Sequence, residues 1–180
     1  NDFRIQYFVG SLITAIAAIV GLTKVLADLF STILSQPIFL GAQAPALIST
    51  GEKLLDGYGT LVIASALWFY YWIKNANTKT DDTMWLSYVL VAGVGGSLVL
   101  ALTSLTVTIY QVLVWFIGEP TSQIAAEHFG GLPVSSASAI VGLLAWWYHK
   151  SLLPLHSTRS ETQRIYEYVV SAISLIASTV

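Results

Sequence analysis

A histidine near the end of an apolar segment is the residue in this sequence best placed to hold a cofactor. His149 follows the aromatic run Ala145 to Tyr148 and could ligate a haem or chlorophyll through an imidazole nitrogen. A bis-histidine haem needs a second histidine at the same depth, whereas His128 and His156 are expected in loops on opposite sides of the membrane. The sequence therefore favours an interfacial histidine over a cofactor ligand, and it identifies no particular cofactor.

Charged residues within the apolar segments are the other candidates for chemistry. Lys24 and Asp28 are four positions apart, so in a helix they share a face and can form an ion pair. Charges inside a membrane span are candidates for ion or proton relays. However, Lys24 lies about 25 to 30 Å from the start of its helix at the helical rise, near the far interface. The position favours a snorkelling interfacial pair.

The adjacent residues Glu127 and His128 could suggest acid–base or metal chemistry. A metal site needs further ligands at suitable spacing, and the neighbouring sequence supplies none. We predict that both are solvated loop residues. No phosphate-binding glycine loop, nucleophile elbow or zinc-protease motif occurs, so the sequence predicts a protein that is not an enzyme.

The composition is that of a membrane protein. Hydrophobic residues make up 55% of the 180 positions and charged residues 10%, against roughly a quarter charged in soluble domains, and the mean hydropathy is +0.70. The eight basic residues are spread along the chain and the net charge is -2, so nucleic-acid binding is excluded as a function class. With no cysteine, disulfides and thiolate metal sites are also excluded.

Four apolar segments are predicted to be helices that cross the membrane, since a span needs about 20 mostly apolar residues. Two are long, Arg4 to Leu34 and Trp85 to Ile117, and two are shorter, Tyr58 to Ile73 and Val134 to His149. Proline and glycine in the intervening loops disfavour a continuing helix.

The long segment recurs at an offset of 80 residues, which indicates an internal repeat. Residues Arg4, Ile5, Val9, Ser11, Ile13, Ile16, Ala17 and Val20 recur as Arg164, Ile165, Val169, Ser171, Ile173, Ile176, Ala177 and Val180. The predicted fold is an all-α integral membrane protein of tandem parallel two-span repeats, with five transmembrane helices. The predicted units are 1–80, 81–159 and 160–180, and we expect the third to be truncated after its first helix.

The orientation follows from the distribution of positive charge. The N-terminus and the two linkers between units carry Arg4, Lys74, Lys79, Lys150, Arg159 and Arg164, and the opposite loops carry Lys53 alone. The positive-inside rule therefore predicts a cytoplasmic N-terminus. Tryptophan and tyrosine concentrate at the same ends of the spans, where an interfacial aromatic belt is expected. A platform for a pigment, quinone or other ring-bearing ligand is the alternative.

Small residues recur every four positions on several predicted spans. The sets are Gly10, Thr14 and Ala18; Gly93 and Ser97; Ser138 and Gly142; and Ser174 and Ser178. Such faces let membrane helices approach closely. They predict either packing within the chain or contacts to other membrane protein subunits, and the sequence alone does not distinguish the two.

The helix start Arg164 to Ala177 and the run Ala145 to Lys150 resemble an uncharacterised family of bacterial membrane domains of unknown function. In that family an Arg-x-x-x-Tyr helix start alternates with a tryptophan-rich second helix. The resemblance covers most of the chain, although Met84 replaces the arginine in the second unit and Phe8 the tyrosine in the first. It implies a multi-pass protein of the bacterial inner membrane and no catalytic activity.

Three functional hypotheses follow from these features. The leading one is a non-enzymatic accessory or scaffolding subunit of a larger bacterial membrane assembly, in contact with the lipid bilayer and with other subunits. The second is a transporter or channel-like protein built from parallel repeats, which predicts a polar cavity between repeats. The third is a pigment- or haem-binding protein, which predicts visible absorbance that disappears on His149→Ala.

Overall fold

The regular structure of the described residues is helical. A computed structural model describes residues 2–34, 51–77, 83–120 and 122–153, together with residues 168 and 171, and no strand occurs among them. Helix α1 (Asp2–Leu34) is unbroken over 33 residues. The length follows from a sequence that contains no proline and is rich in leucine, alanine and isoleucine.

The next helix changes its hydrogen-bonding pattern before it ends. Helix α2 (Gly51–Trp68) continues directly into a π-helical segment, Phe69–Ala76, which we call the first π segment. The backbone N–H of Asn77 donates to the carbonyl oxygen of Trp72 at 2.8 Å, which is the five-residue spacing of a π-helix. This widened turn includes the aromatic residues that end the predicted span.

The second long helix contains a similar change near its start. Helix α3 (Thr83–Ser87) leads into the second π segment (Tyr88–Gly96), which leads into α4 (Ser97–Ile117). The backbone becomes extended at Gly118 (φ -110°, ψ -162°), and Pro120 follows shortly afterwards, where it cannot supply a helical N–H. The predicted end of this segment at Ile117 is confirmed.

A short connection leads to the last described long helix. It contains a single helical turn, α5 (Ala125–His128), and is followed by α6 (Leu132–Ser151). Pro133 lies in the first turn of α6. Backbone N–H groups there have no acceptor within the helix, so the N–H that proline lacks is not missed. His149 and Lys150 lie in the last turn, where positive charge suits the helix end.

The structure contains fewer candidate spans than the sequence predicted. Among the described residues, three stretches are long and apolar enough to cross a membrane: Ile5–Leu34, Met84–Ile117 and Ala125–Ser151. The helix formed by α2 and the first π segment is not one of them, because glycine, tyrosine and charged side chains lower its hydropathy. The predicted fifth span, within residues 160–180, lies outside the described residues except for positions 168 and 171. The described residues therefore support an all-helical protein with three candidate membrane spans, but neither five spans nor the repeat.

The helices pack as two antiparallel pairs placed side by side. Helix α1 packs along α2, α4 packs along α6, and α1 also packs against α6. The spatial order is thus α2, α1, α6, α4, with α2 and α4 at the edges. The buried hydrophobic core lies at one end of the bundle, where Phe8, Trp72, Trp85, Tyr88 and Val89 meet.

Small residues lie at the contacts between these helices. All three glycines of the predicted sets lie where an added Cβ atom would collide with a neighbouring helix, and the contacts are Gly10 with Tyr71, Gly93 with His149 and Gly142 with Ala101. Thr14 and Ser97 are buried, and their hydroxyls donate to the carbonyl oxygens of Gly10 and Gly93. Of the two alternatives, packing within the chain accounts for these residues. Ser174 and Ser178 lie outside the described residues.

Candidate functional site

An aromatic cluster joins the helices at the end of the bundle where the first π segment and α6 end. Its members are Trp68, Trp72, Trp85, Tyr88, Tyr148 and His149. The rings of Trp72 and Tyr88 have centroids 4.3 Å apart, and those of Trp72 and Trp85 are stacked at 6.4 Å. Residues separated by up to 81 positions thus meet in one cluster at the end of the bundle that the charge distribution predicts to be cytoplasmic.

Hydrogen bonds between side chains fix the cluster. The indole N–H of Trp68 donates to the hydroxyl oxygen of Tyr88 at 3.1 Å. The indole N–H of Trp72 donates to the hydroxyl oxygen of Tyr148 at 3.0 Å. Each bond connects two different helices, and buried indole N–H groups generally need such an acceptor. The cluster therefore ties α2 and the first π segment to the second long helix and to α6.

This arrangement corrects the prediction of an aromatic belt for part of the set. Trp72 is completely buried (0% exposed), whereas Trp147 is 67% exposed. Phe69 and Tyr70 are also exposed and fit the predicted belt. The structure places these rings at the same end of the bundle, as the sequence predicted. The sequence did not show which of them face other helices, because that depends on how the helices are rotated against each other.

His149 is buried within the cluster and is not an exposed interfacial residue. Its side chain is 5% exposed, and the ring lies against Gly93, where no side chain larger than hydrogen fits beside it. The Nδ1 atom is 2.8 Å from the carbonyl oxygen of Ala145. The Nε2 atom is buried and has no hydrogen-bond partner in the described part of the chain.

The possible role of His149 as a haem or chlorophyll ligand stays a prediction. His128 lies beyond the other end of α6, too far along the bundle to share a haem with His149. His156 lies outside the described residues. Within the described ranges, no group of three or more metal-binding side chains comes together.

A cavity opens beside His149, and we call it the central cavity. It has a volume of about 350 Å³ and lies between α1, α2 and α6. Its walls include Ala15, Ala18, Leu61, Trp68, Tyr148 and His149. The sequence does not predict this cavity, because only the packing of three helices separated in sequence creates it. The one feature of the sequence that indicates the central cavity is the small size of the side chains of Ala15 and Ala18.

The charged pair at the opposite end of the bundle differs from the prediction. Lys24 forms its ion pair with Asp56 of α2, with Nζ 2.5 Å from Oδ2, and not with Asp28. Asp56 was missed because it belongs to another helix. All three residues line one cavity of about 320 Å³ together with Thr23, Ala27 and Val134, and we call it the outer cavity.

His128 also differs from its predicted environment. Its Nε2 atom lies 2.8 Å from the carbonyl oxygen of Gln111, and its ring packs against those of Trp115 and Phe129 at 5.2 and 4.8 Å. Glu127 is exposed and accepts a hydrogen bond from the hydroxyl of Ser122 at 2.7 Å. The two residues therefore have different environments. Glu127 is exposed as predicted, whereas His128 packs against α4 and anchors the short connection to it.

Comparison with known proteins adds no functional assignment. No family model, curated protein or solved structure matches the chain. This result is consistent with the resemblance to an uncharacterised family of unknown function, and the site rests on its own geometry.

Proposed function

We propose that the protein is a non-enzymatic accessory or scaffolding subunit of a larger bacterial membrane assembly, and that α4 contacts its partner subunit. The observation that carries this proposal is a line of exposed hydroxyl groups on α4. Thr103, Thr106 and Tyr110 are spaced by three and four residues, so they share one helix face. All three are exposed, although α4 lies within a candidate span.

Within the described part of the chain, no helix covers this face. Helix α4 lies at the edge of the described helices and packs chiefly against α6. The hydroxyls of Thr103 and Thr106 donate to carbonyl oxygens one turn earlier at 2.8 Å, so their oxygens remain available as acceptors. In a lipid environment, threonine and serine hydroxyls contribute to helix association by bonding across helices. A partner helix bearing hydrogen-bond donors fits this face better than lipid chains do.

Site-specific photocrosslinking in native membranes tests the proposal. We would place p-benzoylphenylalanine at Thr106 on α4, and at Ile63 on α2 as a matched control that is 64% exposed. The proposal predicts a discrete protein adduct from the first position and only lipid adducts from the second. It also predicts partner subunits that co-purify in mild detergent. A colourless monomer without protein adducts from either position would contradict it.

The proposal includes the cellular location and orientation of the chain. We place it in the bacterial inner membrane with its N-terminus cytoplasmic. Lys74 and Lys150 support this orientation, because both lie at the end of the bundle that carries the aromatic cluster, with their ammonium groups 6.0 and 4.6 Å from the ring centroids of Tyr70 and Trp146. Lysine is enriched on the cytoplasmic side of membrane proteins, and tryptophan and tyrosine are enriched at both interfaces.

The two-span repeat, with five spans in the chain, also belongs to the proposal. Its support is the similar construction of the two helix pairs. In one pair Gly21 of α1 approaches the backbone of Leu61, and in the other Gly142 of α6 approaches the backbone of Ala101. Ala101 lies 80 residues after Gly21, which is the offset of the sequence repeat.

Transport is the second candidate function, and the outer cavity favours it. This cavity lies between residues of α1, α2 and α6, so it spans the two proposed repeat units, and it contains Lys24, Asp28 and Asp56. A transporter predicts that a charged or polar solute raises the thermal stability of the purified protein, and that Asp28→Asn abolishes this effect. If no solute from a panel of inorganic ions and small metabolites does so, the transport hypothesis is wrong.

A further inference from the structure

The outward side of α4 carries a regular line of exposed side chains, which we call the α4 seam. Its members are Val99, Thr103, Thr106, Tyr110, Leu113 and Ile117, and all six are exposed. They follow one another at alternating intervals of four and three residues. This alternation is the pattern by which two helices pack along each other in coiled coils and in most membrane bundles. The α4 seam therefore has the spacing of a helix–helix interface.

The described helices leave the α4 seam uncovered. Helix α4 packs on α6 through its opposite side, where Ala101 lies against Gly142 and the hydroxyl of Thr108 donates to that of Ser135 at 3.0 Å. Two positions along a helix correspond to a rotation of about 200°, so Thr108 and Thr106 lie on nearly opposite sides. Helix α4 thus packs on α6 with one side and presents a second packing surface on the other.

The α4 seam holds both halves of a hydrogen bond. The hydroxyl of Tyr110 makes no hydrogen bond within the described part of the chain, so it is a free donor. The hydroxyl of Thr106 donates to the carbonyl oxygen of Leu102 at 2.8 Å, and its oxygen keeps a lone pair that can accept. Lipid chains satisfy neither group, and an unpaired hydroxyl in hydrocarbon is unfavourable. A partner with an acceptor for Tyr110 and a donor for Thr106 removes that cost.

A second copy of the α4 seam supplies both groups. Long side chains on a helix point toward its N-terminus, so we expect the hydroxyl of Tyr110 near the level of Thr106, about 6 Å earlier along the axis. Copies of one membrane protein share an orientation, so a two-fold axis between them runs along the membrane normal and their α4 helices lie parallel. In such a symmetric contact, residue i meets residue j and j meets i. The Tyr110 hydroxyl of each copy is then placed to donate to the Thr106 oxygen of the other.

We propose that the partner subunit at α4 is a second copy of this chain, and that the two α4 seams pack in parallel with reciprocal hydrogen bonds between Tyr110 and Thr106. The small side chains of Thr103 and Thr106 at successive positions of the seam let the two helices approach closely. This inference rests on the proposed function, because it identifies the partner of the contact at α4 that the proposed function leaves unnamed.

Disulfide crosslinking tests the identity of the partner, since the chain has no cysteine of its own. Single-cysteine variants would be oxidised with copper phenanthroline in native membranes and analysed by non-reducing electrophoresis and mass spectrometry. We expect Thr106→Cys and Val99→Cys each to give a disulfide-linked dimer of this chain. Leu105→Cys is the matched control, because Leu105 lies at the same depth and is 40% exposed. It should give no more than about a tenth as much dimer, because it is rotated by about 100° from Thr106 and a disulfide needs Cα atoms within about 7 Å.

Conservative substitutions test the reciprocal hydrogen bonds. Dimerisation would be measured in liposomes by energy transfer between chains labelled through Ser151→Cys, which is exposed at the end of α6. Tyr110→Phe keeps the ring but removes both bonds of the dimer, and it should weaken dimerisation by about tenfold, the scale of two interhelical hydrogen bonds in lipid. Adding Thr106→Val should weaken it little further, because the same bonds are already lost. Tyr58→Phe is the matched control, since Tyr58 on α2 is 47% exposed, and it should leave dimerisation unchanged.

Each outcome decides the inference. A photocrosslink from position 106 to a different protein, without a disulfide-linked dimer, would overturn the inference and leave the proposed function standing. A photocrosslink within the same chain, or neither an adduct nor a dimer, would contradict both. Equal dimer yields from Thr106→Cys and Leu105→Cys would indicate random collision and would overturn the inference. So would dimerisation that Tyr110→Phe leaves unchanged.

Discussion

At the scale of single residues, the structure separates side chains that look equivalent in the sequence. Trp72 and Trp147 both belong to aromatic runs at the ends of predicted spans, yet the first is buried in the aromatic cluster and the second faces outwards. Trp72 is also the donor to Tyr148. Its removal should therefore affect the whole end of the bundle, whereas Trp147 contributes mainly at the interface with the headgroups.

Replacing these two tryptophans tests this difference. Trp72→Phe keeps an aromatic ring but loses the N–H donor and part of the packed volume. We expect the free energy of unfolding to fall by about 1 to 3 kcal/mol, measured by SDS-induced unfolding in mixed micelles. Trp147→Phe should change it by less than about 0.5 kcal/mol, as for most exposed positions. Equal losses in both variants would contradict the expected difference between the buried and the exposed tryptophan.

The ion pair of Lys24 can be tested by a double-mutant cycle. Because Lys24 and Asp56 are both exposed, their coupling should be no more than about 1 kcal/mol and should weaken at high salt. A cycle with Lys24→Gln and Asp56→Asn should give measurable coupling. The matched cycle with Asp28→Asn should give none. Coupling with Asp28 alone would favour the pairing within α1 that the sequence suggested.

At the scale of helices, close contacts at small residues determine how the bundle packs. The two antiparallel pairs cross at Gly21 and Gly142, where the neighbouring backbone lies too close for a side chain. Hydrophobicity does not drive helices together in lipid, so such close packing carries much of their association. Helix α6 contacts both α1 and α4, and it therefore holds the two pairs together.

A pair of glycine substitutions measures the contribution of one crossing. In Gly142→Ala the new Cβ would lie 2.7 Å from the backbone nitrogen of Ala101. We expect α4 and α6 to be forced apart at a cost of about 1 to 3 kcal/mol, seen as a lower midpoint of thermal unfolding in detergent. Gly59→Ala is the control, because no atom lies within 4 Å of its added Cβ, and it should be neutral or stabilising by up to about 1 kcal/mol. A stabilising effect of Gly142→Ala would contradict this contact.

At the scale of the whole molecule, charge and aromatic residues mark one end of the bundle. The aromatic cluster, Lys74 and Lys150 lie at that end, while the outer cavity and α5 lie at the other. The proposed orientation places the first end in the cytoplasm. The same asymmetry separates the two cavities, since the central cavity ends at the aromatic cluster and the outer cavity lies beside Lys24.

The absence of cysteine from the sequence allows a direct test of the orientation. Asn77→Cys lies in the linker after the first π segment, and Glu119→Cys lies just after α4. With a membrane-impermeant maleimide applied to intact spheroplasts, we expect labelling at position 119 and none at position 77 until the membrane is opened. The opposite pattern would reverse the proposed topology. Labelling of both sites in intact cells would show that α3, the second π segment and α4 do not together form a single membrane span.

The sequence by itself determined the helical class with long apolar candidate spans, the end of the second long segment at Ile117, and the grouping of the aromatic residues at one end of the bundle. These properties follow from composition, helix-ending residues and interfacial preference, which act locally along the chain. The sequence did not determine that Trp72 is buried and Trp147 exposed, that Lys24 pairs with Asp56, or that a cavity opens beside His149. Lipid is as apolar as a protein core, so hydropathy does not distinguish the side of a membrane helix that faces lipid from the side that faces another helix. Only the packing of α1, α2, α4 and α6 decided which side chains face another helix.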